Sequence, residues 1–275
     1  MKPFPLAIFV TMLISSEVMA VDYYVSTKGS DQNTGTTTES PFRTVAKGVA
    51  QLKAGDCLTI RGGRYHESVS IHDLRGTFSH PIVIRSYPGE KVVMDGTRAI
   101  TGVWKTHSGK IEKIKLEEDI WQLFHGDRML MLARWPNADL YDGSVWEQDE
   151  TWGHGSAKSA KGTMVVRTED GRPDLAATQK SFTGAAAILN IGKYVTLSSP
   201  VLSHEAGSNS FTYDGSHESL QWEPLWNSHY YMESQRFFLE GHLNLLDSPG
   251  EWHYDKKSRD LYVWLKPGMR NSGLS

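Results

Sequence analysis

The sequence predicts an all-β protein: a coil of short stacked strands at the front, followed by a β-rich inserted domain. Strands of about four residues recur at roughly ten-residue spacing between turn residues, and one short amphipathic helix precedes them. From about Trp104 the spacing loses its regularity, and Trp104, Trp121, Trp135, Trp146 and Trp152 follow within about fifty residues. No strand-like run there alternates with a helix of ten or more residues, so this part reads as all-β as well.

Taken in order, Tyr23-Tyr24-Val25 is a strand and 29–40 is a polar loop of Gly, Ser, Asp, Asn and Thr. Pro41 opens a helix expected to run to Lys53, with Ser40 as N-cap and Gly55 after its end. Val45, Val49 and Leu52 share one face of it, which Ala46 and Ala50 widen. Strands are then expected at 57–60, 68–71, 81–85 and 91–94, the last closed by a turn at Asp95-Gly96. This spacing alone also fits a sandwich. The helix favours a coil, because the first rung of a parallel stack exposes an unpaired edge that a short helix covers. Further on, 123–130 reads as a hairpin turning at Gly126-Asp127, and 250–255 with 260–265 as a second one. Strands are also expected at 164–166, 186–189 and 194–197.

Composition narrows the function. The chain has 275 residues, 39% hydrophobic and 22% charged, with 25 glycines, nine tryptophans and a net charge of -3. That excludes collagen, coiled coil and wholesale disorder, and gives no electrostatic footprint for nucleic acid. The single cysteine, Cys57, excludes an internal disulfide and a Cys-rich zinc site, and reads as strand core. Lys2, the apolar stretch 5–15 and Val18-Met19-Ala20 have the pattern of a cleaved secretory leader, with cleavage near Ala20 and no membrane association afterwards. The expected location is secreted or periplasmic.

Tyr24-Val25-Ser26, Gly29-Ser30-Asp31, Ser40-Pro41-Phe42-Arg43-Thr44 and the run Gly55 to Tyr65 together resemble the N-terminal cap and first turns of secreted right-handed parallel β-helix proteins. These form the pectin-lyase-like group of polysaccharide lyases and glycoside hydrolases. Residues 81–96 look like their next rung. Ala133-Arg134-Trp135-Pro136-Asn137 and Leu246 to Trp252 are similar to the β-sandwich insert of the fucosidase/xylanase-like and β-xylosidase-like β-helix hydrolases. The resemblance implies a leader at 1–20, cap and first rungs at 21–103, an insert at 104–267 and a truncated tail at 268–275. It also implies that the two catalytic carboxylates, roughly 5–10 Å apart in glycosidases, lie on rungs after the insert. The chain is therefore expected to be the front part of a longer glycoside hydrolase, with its catalytic residues unknown. A lyase of the same group, often calcium-dependent, and a non-catalytic carbohydrate-binding β-helix are the alternatives.

Other motifs carry less. Asp31-x-Asn33-x-Gly35 lacks the position-12 glutamate of a calcium loop, where Phe42 stands, and reads as a side-chain-stabilised turn. His229 and Glu233 are four apart without a helix to carry them, so no metal and no cofactor are expected. Arg134 beside Trp135-Pro136 reads as stacked, or as a partner for a sugar carboxylate. The expected partner is a carbohydrate, and the protein a monomer. Flat sugar faces stack on aromatic rings, so the loops carrying Trp152 and His154, and Trp222, Trp226, His229 and Tyr230, supply the candidate substrate contacts.

Overall fold

Backbone pairing in the first part of the chain is entirely parallel. In the computed structural model, which describes residues 19–191, 195–216 and 235–275, β1 (Asp22–Val25), β2 (Cys57–Ile60) and β4 (Val83–Ser86) pair in register, Tyr23 opposite Leu58 and Leu58 opposite Ile84. A second stack joins β3 (Gly63–His66) to β5 (Val92–Asp95). Two parallel stacks fed by one advancing chain make a coil, and its buried interior is Val25, Leu58, Ile60 and Tyr65. The fold class is all-β, as expected. Strand β3 replaces the strand expected at 68–71, because the turn at Arg61-Gly62 puts Gly63 opposite Val92 and consumes the pairing five residues earlier.

The helix α1 (Val45–Val49) lies over this coil and is shorter than the expected 41–53. Its N-cap is Thr44 and not Ser40: Pro41 and Phe42 are held in backbone pairing, Phe42 N–H donating to Tyr24 O and Ser26 N–H to Phe42 O. Thr44 Oγ1 accepts from Lys47 N–H at 3.1 Å. The remaining first-turn amides, which no helical carbonyl can satisfy, donate to Glu67: Val45 N to Oε1 at 2.8 Å and Ala46 N to Oε2 at 3.0 Å. Val45, Val49 and Leu52 are buried as expected, but Ala46 and Ala50 are exposed, and Gly48 completes the inward face. Asp31 accepts from the amides of Arg43 and Thr44, both at 2.9 Å, and Asn33 Nδ2 donates to Pro41 O, so this loop is a side-chain-stabilised turn. Cys57 is half-buried. Asp95 ends β5 buried, paired with Arg64, and still caps a turn through Thr97 N–H at 2.9 Å.

Residues Ala99–Ser275 form the second of two compact units. Its strands are β6 (Lys105–Ser108), β7 (Ile111–Lys115), β8 (Phe124–His125), β9 (Arg128–Met129), β10 (Met131–Leu132), β11 (Arg134–Trp135), β12 (Gly153–His154), β13 (Thr163–Val165), β14 (Ala186–Ile191), β15 (Val195–His204), β16 (Ser210–Tyr213), β17 (Arg236–Glu240), β18 (Glu251–Asp255) and β19 (Asp260–Trp264). One sheet runs β10-β18-β19-β7-β6, and a second runs β11-β17-β14-β15-β16-β13 with β12 also on β17. Alternation along β19 explains the layering. Leu261 and Val263 face a core with Leu123, Leu130 and Trp252, while Tyr262 and Trp264 face the core of the second sheet, with Phe211, Phe237 and Leu239. The expected hairpins form, Phe124 opposite Met129 and Asp255 opposite Asp260. Within residues 268–275, Leu274 is buried, and Ser275 and Phe124 exchange both backbone hydrogen bonds.

Gly48 sets a sharp test of the coil. A Cβ there would lie 2.6 Å from Leu58 Cδ1 and 2.9 Å from Val25 Cγ2, closer than packed carbons tolerate. Gly48→Ala is expected to destabilise the protein by about 1–3 kcal/mol, despite alanine's better helix propensity. A thermal melt equal to or above that of the parent would show that the helix does not press on the coil.

Candidate functional site

The loop from Asp139 to Gly155 is built largely on its own hydrogen bonds. Asp139 N–H donates to Ser144 Oγ at 2.7 Å, Ser144 N–H to Asp142 Oδ1 at 2.8 Å, and Thr151 Oγ1 to Ser144 O at 2.6 Å. Lys266 pairs with Asp139 and ties the loop's start to the chain after β19. Trp152 anchors the far end: its indole N–H donates to Val145 O at 3.0 Å, and its ring meets Phe238 edge-on at 4.9 Å between centroids. Gly153 then passes directly over Phe237, where a Cβ would lie 2.5 Å from the ring, so only glycine allows β12 to pair there. That pairing sets His154 opposite Arg236.

Around His154 the side chains form an arginine-rich cluster. His154 is 1% exposed. Its Nε2 lies 2.8 Å from Arg172 Nη1 and 3.0 Å from Gln148 O. A guanidinium only donates, whereas a carbonyl asks the ring for a proton, so the two neighbours favour opposite tautomers. Burial, with the charge of Arg236, pulls the imidazole down to about 4, so the ring is neutral at neutral pH, and its Nε2 accepts from Arg172 only in the tautomer protonated at Nδ1. Arg172 Nη1 and Arg236 Nη2 both approach Asp149 Oδ1, at 3.4 and 3.5 Å. Arg167 lies close enough for its charge to disfavour that of Arg236, and pairs with Asp170 at 3.0 Å.

Of the candidate contacts, Trp152 and His154 are therefore neighbours, the first half-buried and the second wholly buried behind Arg172. Trp222, Trp226, His229 and Tyr230, with Glu233, lie outside the described residues. Sequence reasoning missed Asp149, Arg172 and Arg236, which no motif links and which only strand pairing and loop closure bring together. It also gave no special role to Trp146, whose side chain is among the exposed large hydrophobics, at 75%.

A second polar cluster is internal. Arg134 is buried, lies over the Phe238 ring at 4.2 Å and donates to Thr151 O at 3.0 Å, which is the stacked reading and not a sugar contact. Glu251 is also buried and accepts from the amides of Arg134, Ser248 and Asp247 at 3.3–3.4 Å. Burial pushes its carboxyl up to about 8. Its oxygens face main-chain amides, so it clamps β11 to the turn before β18 and is not poised for catalysis. Among the described residues no group of His, Cys, Asp and Glu is arranged to hold a metal ion.

With this geometry described, the comparisons with known proteins can be placed on it. Residues 23–125 match the sequence model of the Pel9A-like, right handed beta helix region. The parallel coil at the front of the chain is thus similar to the right-handed β-helix of pectin-lyase-like proteins. The matched span runs past Arg98 as far as β8. The uncharacterized protein YwoF of Bacillus subtilis is 43% identical over 86 residues, which is 31% of this chain and 18% of YwoF. Pectate lyase PEL9 of Emericella nidulans is 37% identical over 91 residues, 33% of this chain and 22% of the lyase. The chain thus spans about a fifth of either curated relative. A solved structure described as a glycoside hydrolase is similar over 93% of this chain and 45% of its own, with a TM-score of 0.63 and 22% identity, a likeness of fold.

Two measurements follow from this geometry. The native Glu251 carboxyl keeps its proton up to about pH 8, against an ordinary value of 4.5, so the native state binds more protons between those values. This contribution to stability is full below about pH 4.5 and is lost as the pH rises through about 8. Relative to the parent, Glu251→Gln should gain melting temperature between pH 5 and pH 9, and a pH-independent difference would refute the buried proton. Trp152→Ala should lower the melting temperature, because it removes the Val145 and Phe238 contacts. An unchanged melt would show that these contacts do not hold the loop.

Proposed function

We propose that this chain is the cap, first rungs and accessory β domain of an exported glycoside hydrolase acting on plant or algal polysaccharide. The observation that carries the reading is the match of residues 23–125 to a Pel9A-like right-handed β-helix region. The fold shared with a solved glycoside hydrolase supports it. On this reading the catalytic carboxylates lie on further rungs of the same coil. Strands β4 and β5 are each paired on one side only, and Val83, Ile84 and Met94 are exposed along them, as expected where another rung stacks. The leader pattern at 1–20 supports export.

Elimination is the second reading, favoured by the resemblance to pectate lyase PEL9. The two differ in product: hydrolysis gives two saturated ends, whereas abstraction of a proton beside a uronate carboxylate leaves an unsaturated sugar. Purified residues 21–275 are expected to bind soluble plant polysaccharide and to release no reducing sugar from fucosides or xylosides. Turnover by this chain alone would overturn the placement of the catalytic pair on other rungs. Release of ultraviolet-absorbing unsaturated products from a pectic substrate would replace hydrolase by lyase.

A further inference from the structure

The cluster at Asp149 has features that stability alone does not explain. Arg172 and Arg236 are held largely out of water, with side chains 21% and 23% exposed, while the carboxylate they share belongs to a side chain 79% exposed. Ion pairs to an exposed carboxylate contribute little to folding. The contacts at 3.4 and 3.5 Å are also looser than the roughly 2.7–2.9 Å of a good charge-assisted hydrogen bond. Desolvation and each other's charge both work against the guanidinium of Arg236. Arg172 Nε is buried with no hydrogen-bond partner among the described residues. Yet the two side chains are positioned with care, Arg172 against Nε2 of buried His154 at 2.8 Å and Arg236 by its strand register opposite that histidine.

We infer that Arg172 and Arg236 form a receptor for the carboxylate of an acidic sugar, with Asp149 as its internal stand-in. The chemistry comes from Asp149 itself: the anion that bridges both guanidiniums is a planar carboxylate on an exposed turn, free to swing away. A guanidinium fork matches carboxylate geometry better than a point charge does. Trp146 precedes Asp149 by three residues on the same loop and offers an exposed ring to a sugar face. The ligand class is a uronic-acid-bearing oligosaccharide. His154 does not touch it and acts as a positioning residue for Arg172. Residues 149–236 lie outside the span that matches the β-helix region.

The inference rests on the carbohydrate reading, and the test separates the two. Calorimetric titration of residues 21–275 with an oligouronate, its methyl ester and a sulfated neutral oligosaccharide should show binding of the acid, with affinity reduced at least about tenfold by esterification, the loss of one charged hydrogen-bond pair. Arg172→Gln should reduce binding of the acid similarly and leave the ester unaffected. Asp149→Asn should strengthen acid binding severalfold, since it removes the internal competitor; being exposed, it also tests the site if Arg172→Gln fails to fold. Weaker binding in Asp149→Asn overturns the stand-in role. Equal affinity for acid and ester overturns the carboxylate receptor and leaves the carbohydrate reading intact. A preference for the sulfated ligand makes the site a general anion site and overturns the uronate assignment. No binding of any saccharide defeats both readings.

Discussion

Strand β17 is the constraint on which the geometry of the second unit depends. Its five residues pair with β14 along their length, with β11 at Glu240 and Leu239, and with β12 at Phe237 and Arg236. Alternation then divides its side chains. Phe237 and Leu239 enter the core, while Arg236, Phe238 and Glu240 face the other way, toward the loop from β11 to β12. Phe238 takes the edge of Trp152 and the guanidinium plane of Arg134, so a single outward ring ties down both ends of that loop. A one-residue slip would bury Arg236 and Phe238 and expel Phe237. The same pleat therefore fixes the core and the functional loop together.

The first unit depends on a different economy. Parallel rungs in register place like residues over like, Val25 beside Ile60 and Leu58 beside Ile84. An in-register stack buries its middle and leaves its two ends bare. Helix α1 closes the first end, and it does so because Gly48 lets backbone rest on Leu58 and because Glu67 and Asp31 satisfy amides that a five-residue helix cannot satisfy itself. The polar loop at 29–40 is thus part of the closure and not a spacer.

How much of this was legible follows from how far each signal reaches along the chain. The buried face Val45-Val49-Leu52, strand 57–60 and the hairpins at 126–127 and 255–260 are set by residues within a few positions of one another, and all could be read directly. Strand β3 could not, because Gly63 and Arg64 are poor strand formers and only pairing with β5, about thirty residues on, makes them one. The helix start was missed for a similar reason: Pro41 is a fair first residue, but pairing of Phe42 with Tyr24 and Ser26 overrides it. The loop bearing Trp152 and His154 could be found from its glycines and aromatics. Arg172 and Arg236 could not, since their meeting depends on the register of β12 with β17.

The two polar clusters of the second unit show opposite ways of burying a cation. Arg134 and Arg172 each carry a buried Nε without a hydrogen-bond partner among the described residues. Around Arg134 the surroundings are closed: an aromatic face at 4.2 Å, a carbonyl at 3.0 Å, and two acidic neighbours, Glu240 and Glu251. Glu251, pushed up to about 8, is largely protonated at neutral pH and brings little charge. The carboxyl of Glu240 is raised by burial, against the charge of Arg134. Burial pulls the Arg134 guanidinium down to about 10, which still leaves it charged at neutral pH. Around Arg172 the partner is a side chain in water, on a turn, at a distance that invites replacement. Interior charge of the first kind specifies the fold, and charge of the second kind, beside a neutral histidine and facing an exposed carboxylate, is suited to exchange its partner for a ligand.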